Sequence, residues 1–276
     1  TNTGQITGHG TLRTGGLTNS GTLLLAGSTS TVDGQVTNSA SGTIEVAHGH
    51  ATFNEAVTNN GLFKTTEASV SFVGTFTNNG TYFSDPSIQS FVDLQVGADG
   101  NLIGQEAGDI FRVSNDFYNY STQNETWETS QAWLQFVTGL DNSHDMTLAG
   151  VDLGASLEGF VDNFAWGQLD ITGNSLNLLD GNDEDGGAFY VGSLLGVDLD
   201  IENDRVSNIT GMDGLFIYYL AGLAENAYLG GLDYALDGGG RLIAVAGDAM
   251  PTPVPGAAWL LGTGLAGLAA FRRRQA

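Results

Sequence analysis

The sequence predicts an all-β fold: a parallel β-solenoid with less regular C-terminal coils, followed by a short C-terminal hydrophobic helix. Three observations carry that expectation. Four corners of one type, LTNSG (17–21), VTNSASG (36–42), VTNNG (57–61) and FTNNG (76–80), put Asn19, Asn38, Asn59 and Asn78 at spacings of 19, 21 and 19. Between the corners lie runs of four to seven residues, among them TLLLAG, TIEVAHG, LFKTTE and SFVDLQV, often alternating and rich in β-branched and aromatic side chains. No helix-length pattern of period 3.6 appears in this stretch.

A period near twenty with short strands has a direct physical reading. One coil cannot bury its own apolar face, whereas stacked coils build a continuous core and saturate each other's backbone groups. Glycine supplies corners with positive φ, asparagine tolerates left-handed backbone, and identical asparagines in successive coils form amide ladders. Fainter members, ITGHG (6–10) and ADGNL (98–102), extend the series at both ends. The competing arrangement is an antiparallel sandwich whose turns fall at this spacing by coincidence.

Residues 1–107 therefore read as regular coils of 19–21 residues. Over 108–248 the period loosens, but strand-like runs such as AWLQFVTG, WGQLDITGNSLNLLD, AFYVGSLLGVDLDI and LFIYYLAG persist between polar Gly/Asn/Asp loops. This part reads as less regular coils or a β-rich cap, with one short helical turn within QNETWETSQAWLQF. Residues 249–276 form a distinct tail.

Composition narrows the function classes. The 276 residues include 41 Gly and no Cys, with 8 Lys+Arg against 31 Asp+Glu and a net charge of −23. That sign repels phosphate backbones and excludes nucleic acid as a partner. Without cysteine there are no disulfides, thiolate metal sites or thiol nucleophiles. The 41% of hydrophobic residues supports a sizeable core rather than disorder. The chain starts with Thr1 and has no leading apolar segment, which is expected of a processed or partial chain. Acids crowd toward the C-terminal half, and no Asp or Glu follows Asp248.

The tail, TPVPGAAWLLGTGLAGLAAFRRRQA (252–276), combines a proline motif, an apolar stretch of about sixteen residues and an arginine cluster. As a helix, Gly256 to Phe271 spans about 24 Å, slightly short of a hydrocarbon core of about 30 Å. The arginines would sit on the cytoplasmic side. This architecture closely resembles the C-terminal signal of exosortase-processed bacterial proteins, the PEP-CTERM class, in its VPLPA-type variant. Pro253, Val254, Pro255 and Trp259 match the start of that signal, Gly256 stands where Ala is usual, and Arg272, Arg273 and Arg274 supply the basic end. Residues 108–240 likewise resemble, in composition, the C-terminal part of β-helical exosortase-sorted surface proteins. The resemblance implies export, a transient membrane segment, an exosortase-type processing enzyme as partner, and display at the cell surface within extracellular polysaccharide.

Candidate chemistry is sparse. GTGLAG (262–267) matches G-x-G-x-x-G but lies inside the tail, with no following strand or ribose-binding acid. In DGNDEDGG (180–187), Asp180, Asp183 and Asp185 offer oxygen ligands suited to Ca²⁺; a solvated acidic loop is the competing reading, because the EF-hand pattern fails. No cofactor is required. His48 and His50 flank Gly49 without a third ligand, and His144 reads as a loop residue. Trp127, Trp133 and Trp166 could stack on sugars, yet read more simply as core. Eighteen threonines fall in the first hundred residues, but the TxT pairs Thr29/Thr31 and Thr75/Thr77 are not periodic, so β-propensity accounts for them.

The expected function is that of a non-enzymatic, surface-sorted structural or adhesive β-helix protein associated with extracellular polysaccharide or biofilm matrix. The alternative is a β-helical carbohydrate-active enzyme of glycosidase type, which needs two carboxylates about 5–10 Å apart. A lyase on acidic sugars would need cationic clamps, and this field has the opposite sign.

Overall fold

The structure is a computed structural model that describes residues 1–182 and 187–251. Each coil lays down three short strands in a fixed order, so the chain winds into a three-faced parallel β-solenoid of about 11 turns. At about 4.8 Å per turn the rod is about 50 Å long. On the first face, Leu17–Asn19, Val36–Asn38, Val57–Asn59, Phe76–Asn78, Leu94–Val96 and Phe117–Asn119 pair in parallel, each on the one before. The stack continues through Ser143–Leu148, Ser175–Asp180, Arg205–Thr210 and Tyr234–Asp237.

The second face begins with the first half of Thr22–Asp33 and proceeds through Thr43–Ala47, Leu62–Thr66, Thr81–Asp85 and Asn101–Gly104. The second half of Thr22–Asp33 starts the third face, followed by His50–Phe53, Ser69–Phe72, Ile88–Phe91, Ile110–Val113 and Thr129–Phe136. Pairs such as Ile88 with Ile110 and Leu94 with Phe117 carry the stack across residues 107 and 108. The helical turn expected near residue 125 is a 3-10 turn, Asn124–Thr126.

Parallel, in-register pairing puts like residues directly above one another, and the core exploits this. Phe53, Phe72 and Phe91 stack at 5.3 and 4.9 Å with planes within 16° and 4°. Phe63 and Tyr82 stack at 5.1 Å, and Phe76 meets both edge-on at 5.6 and 5.5 Å. Offset-stacked and edge-to-face contacts are the favoured aromatic geometries.

The asparagines form a buried ladder. Asn19, Asn38, Asn59 and Asn78 are fully buried. Nδ2 of Asn19, Asn38 and Asn59 each donates to Oδ1 of the next asparagine at 2.8 Å. The same amides also donate to carbonyls of their own corner and of the next coil; Asn38, for example, reaches Gly42 O at 3.0 Å and Leu62 O at 3.1 Å. The preceding rung is Asn2, whose Nδ2 donates to Asn19 Oδ1 at 2.7 Å. The ITGHG segment is instead part of the strand Gln5–Arg13.

The corner glycines act differently from the expectation. Gly21, Gly42, Gly61 and Gly80 are absent from the left-handed positions of the chain. A Cβ on any of them would overlap a carbonyl oxygen of the preceding coil. Close approach between coils, rather than φ, requires glycine there. Positive φ occurs instead between the second and third faces, at Gly27, His48 and Glu67, and before the first face, at Gly16 and Gly34.

In the later coils the chain covers its own outside. Gly150–Val151 pairs antiparallel with the start of Gly187–Leu195, and the 3-10 turn Leu157–Phe160 lies on the outer side of the second face. Phe160 and Ala165 pack with Ala188, Tyr190, Tyr218, Leu220 and Val245 as a second core. Tyr190 and Tyr218 stack at 4.5 Å. Tyr218 donates to Asp152 Oδ1 at 2.6 Å, and Tyr190 donates to Gly154 O at 2.9 Å. Among the described residues no helix is long and apolar enough to cross a membrane. The tail with Pro253, Val254, Pro255, Trp259, Arg272, Arg273 and Arg274 lies outside the described residues.

An Asn59→Ala variant removes the donor to the buried Asn78 Oδ1 and to the part-buried carbonyls of Gly61 and Thr81, and with Oδ1 the acceptor of the buried Asn38 amide. Unsatisfied buried groups cost about 1–3 kcal/mol each, so urea unfolding should report a loss of about 3 kcal/mol. A loss below about 0.5 kcal/mol contradicts a stabilising ladder.

Candidate functional site

The corner between the first and second faces changes character after Asn78. Val96 takes the next position of the stack, and the ladder ends. Two coils later the corner lengthens into residues 120–128, and the insertion 149–165 arrives beside it. A cleft of about 240 Å³ opens between them, lined by Thr122, Asn124, Ala149, Val151, Asn163, Phe164 and Asn182.

The cleft is built by hydrogen bonds between its walls. Asn124 Nδ2 donates to Asp162 O at 2.8 Å, and Asn182 Nδ2 donates to Ala149 O at 2.6 Å and Ser121 O at 3.2 Å. Asn163 acts as a strand partner to Val151, accepting from its N–H at 2.8 Å and donating to its carbonyl at 2.9 Å. On either side, Asp162 (φ 49°) and Phe164 (φ 57°) hold left-handed backbone. Non-glycine residues in that region carry strain of about 1–3 kcal/mol, a feature concentrated at functional sites. The Phe164 ring sits edge-on to Trp127 at 5.2 Å. Trp127 is fixed in turn by its indole N–H on Thr129 Oγ1 at 2.7 Å.

Next to the cleft, on the outer side of the first face, Tyr118 and Tyr120 hold their rings parallel within 2°, with centroids 6.4 Å apart. The Tyr118 hydroxyl lies 3.1 Å from Asp116 Oδ2 and 3.4 Å from Asp145 Oδ2. Burial first, then these two carboxylates, raises its pKa well above the ordinary phenol value. Asn177 donates to Asp145 at 2.9 Å, and Asn115 donates to Asp93 at 2.6 Å.

Of the residues singled out in the sequence, Asp180 is exposed at the end of its strand, next to cleft-lining Asn182. Asp183 and Asp185 lie outside the described residues. Among the described residues no cluster of three or more His, Asp or Glu could hold a metal ion. His48 and His50 diverge: His48 faces Glu67 at 3.1 Å, while His50 meets Ser69 Oγ at 2.8 Å. His144 is no loop residue. It is buried at the start of a strand, with its ring nitrogens 2.6 Å from Asn115 O and 3.1 Å from Asn174 Oδ1. Trp127 and Trp166 are core, and Trp133 is half-buried.

Thr18, Thr37, Thr58 and Thr77 stand in register along the outer side of the first face, with Gln95 and Tyr118 above them. The periodic array is thus the Thr of the T-N-x-G corner itself, one residue before the ladder.

One buried carboxylate stands apart. Asp109 sits inside the solenoid, accepting from Ser84 Oγ, from Ser87 N at 3.0 Å and from Glu106 N at 3.1 Å. Gln89 extends the network to Thr65 at 3.1 Å. In comparisons with family models, curated proteins and solved structures, nothing matches this chain.

Burial raises the Asp109 pKa more than its three donors lower it. A raised folded-state value favours the protonated form in the native state. Its stabilising contribution is therefore complete below the unfolded value of about 3.9 and is lost as pH rises through the folded value. A carboxyl ¹³C titration by NMR should place Asp109 above the ordinary aspartate range. Titration at or below about 3.9 contradicts this.

Proposed function

We propose that this protein is an exported, surface-sorted structural or adhesive rod that associates with extracellular polysaccharide. The observation that carries the reading is the in-register rank Thr18, Thr37, Thr58 and Thr77, continued by Gln95. It is an uncharged strip of hydroxyl and amide groups along a chain of net charge −23. Neutral glycans offer matching hydroxyls in quantity, whereas acidic polymers are repelled by the rest of the surface. The resemblance of the tail to an exosortase signal supports export and sorting.

A second reading is favoured by Asp116 and Asp145. They flank one tyrosine hydroxyl, a spacing compatible with acid and base roles in glycoside hydrolysis. Neither lines the cleft, which weakens the case for a glycosidase. Release of reducing sugar from neutral polysaccharide, lost in an Asp145→Asn variant, would replace the scaffold reading with this one.

Fractionation of the native host with intact-mass analysis tests the proposal. The expected result is recovery in the extracellular polysaccharide fraction, in a form lacking Arg272–Arg274. Protein found only inside the cell, or at the surface with Gln275 and Ala276 still attached, contradicts it.

A further inference from the structure

We infer that the cleft between the 120–128 corner and the 149–165 insertion binds one pyranose unit of a neutral glycan chain, with Tyr118 and Tyr120 as the platform for its neighbours. The inference rests on the polysaccharide reading above and gives it a site.

Several independent features converge there. The cleft holds about 240 Å³, room for a single sugar ring rather than a cofactor. Among the described residues its polar lining is amide and hydroxyl, from Thr122, Asn124, Asn163 and Asn182, with no charged side chain among them. The wall hydrogen bonds leave Asn124 with its Oδ1 and one amide proton, and Asn163 with its second amide proton, a donor and acceptor set that suits vicinal hydroxyls. Phe164 adds an apolar wall, its ring held edge-on by the buried Trp127. The Asn163 hydrogen bonds to Val151 and the Trp127 ring against Phe164 hold this wall in place, which lowers the ordering that opposes binding.

Outside the cleft, Tyr118 and Tyr120 present parallel rings on the same coil, two residues from Thr122. Tyr120 is 46% exposed, so its ring is open to a ligand. Aromatic faces carry apolar area with a polar tip, which matches the C–H face of a pyranose and its rim of hydroxyls. Surrounding carboxylates, including Asp116 and Asp145, repel a uronic acid. The chemistry therefore selects neutral sugars.

The test uses the full 276-residue chain, titrated with cellohexaose, laminarihexaose, mannohexaose and, as the acidic contrast, hexagalacturonic acid. Calorimetry measures affinity, and indole fluorescence reports on Trp127 through Phe164. Val151 is 37% exposed on the cleft wall, so Val151→Trp fills the space without entering the core, and Tyr120→Ala removes the platform. Both variants should retain the wild-type circular dichroism and melting temperature. We expect at least one neutral hexasaccharide to bind with a change in Trp emission, and the acidic one not to bind. Val151→Trp should weaken that binding at least tenfold, and Tyr120→Ala severalfold. Binding that both variants leave unchanged overturns the site while the polysaccharide reading stands. If none of the neutral sugars binds but the protein is recovered in the matrix fraction, the site fails and the localisation survives.

Discussion

Everything in this fold depends on registration between coils. A parallel solenoid has no tight hairpins to fix its register, and a slip of one residue would turn every inward side chain outward. The buried asparagine amides remove that freedom. Each one in the series from Asn2 to Asn59 must meet the next coil's Oδ1, and a slipped coil would strand several buried donors at once. The aromatic columns Phe53–Phe72–Phe91 and Phe63–Tyr82 then follow from the same registration. Glycine at Gly42, Gly61 and Gly80 lets the corners approach closely enough for the amides to reach.

The same constraint accounts for where variation occurs. Along the ladder the corners are held to two to four residues. Val96 ends the ladder, and only beyond it do a 3-10 turn and a folded insertion appear at that corner. The insertion solves a second problem. The outer sides of Gly187–Leu195 and Phe216–Leu220 carry Ala188, Tyr190 and Tyr218, which would be an exposed apolar patch without Phe160 and Ala165 over them. Covering that patch also forms the wall of the cleft. Site and cover are one device, anchored by Tyr190 on Gly154 and Tyr218 on Asp152.

The regular coils were legible because one short motif does several jobs at three corners and recurs, lengthened by two residues, at the fourth, TNSASG (37–42). In T-N-x-G, the asparagine ladders, the glycine permits approach, and the threonine faces out. The sequence reading attributed the glycine to positive φ, since spacing alone does not distinguish a left-handed corner from a crowded one. Asn2 is harder to read as a rung, because Thr1-Asn2-Thr3-Gly4 lacks the preceding apolar residue of the other corners. The cleft was not legible at all. Its walls come from Thr122 and Asn124, from Ala149, Val151, Asn163 and Phe164, and from Asn182, segments that share no motif and are brought together by the antiparallel pairs Gly150 with Ala188 and Val151 with Gly187 and by the asparagine side chains between them. The run AFYVGSLL signals burial on both sides, but nothing in it names what supplies the cover.

The most direct test of this account is hydrogen exchange of the asparagine side-chain amides, followed by NMR in the intact protein. Registration by buried amides predicts that the Nδ2 protons of Asn19, Asn38 and Asn59 exchange as slowly as the backbone amides of the neighbouring core strands, because both are released only by opening of the coils. Exchange of these side chains at the rate of exposed amides, while the core strands stay protected, would mean that the coils hold their register without the ladder, and the account would be wrong at its foundation.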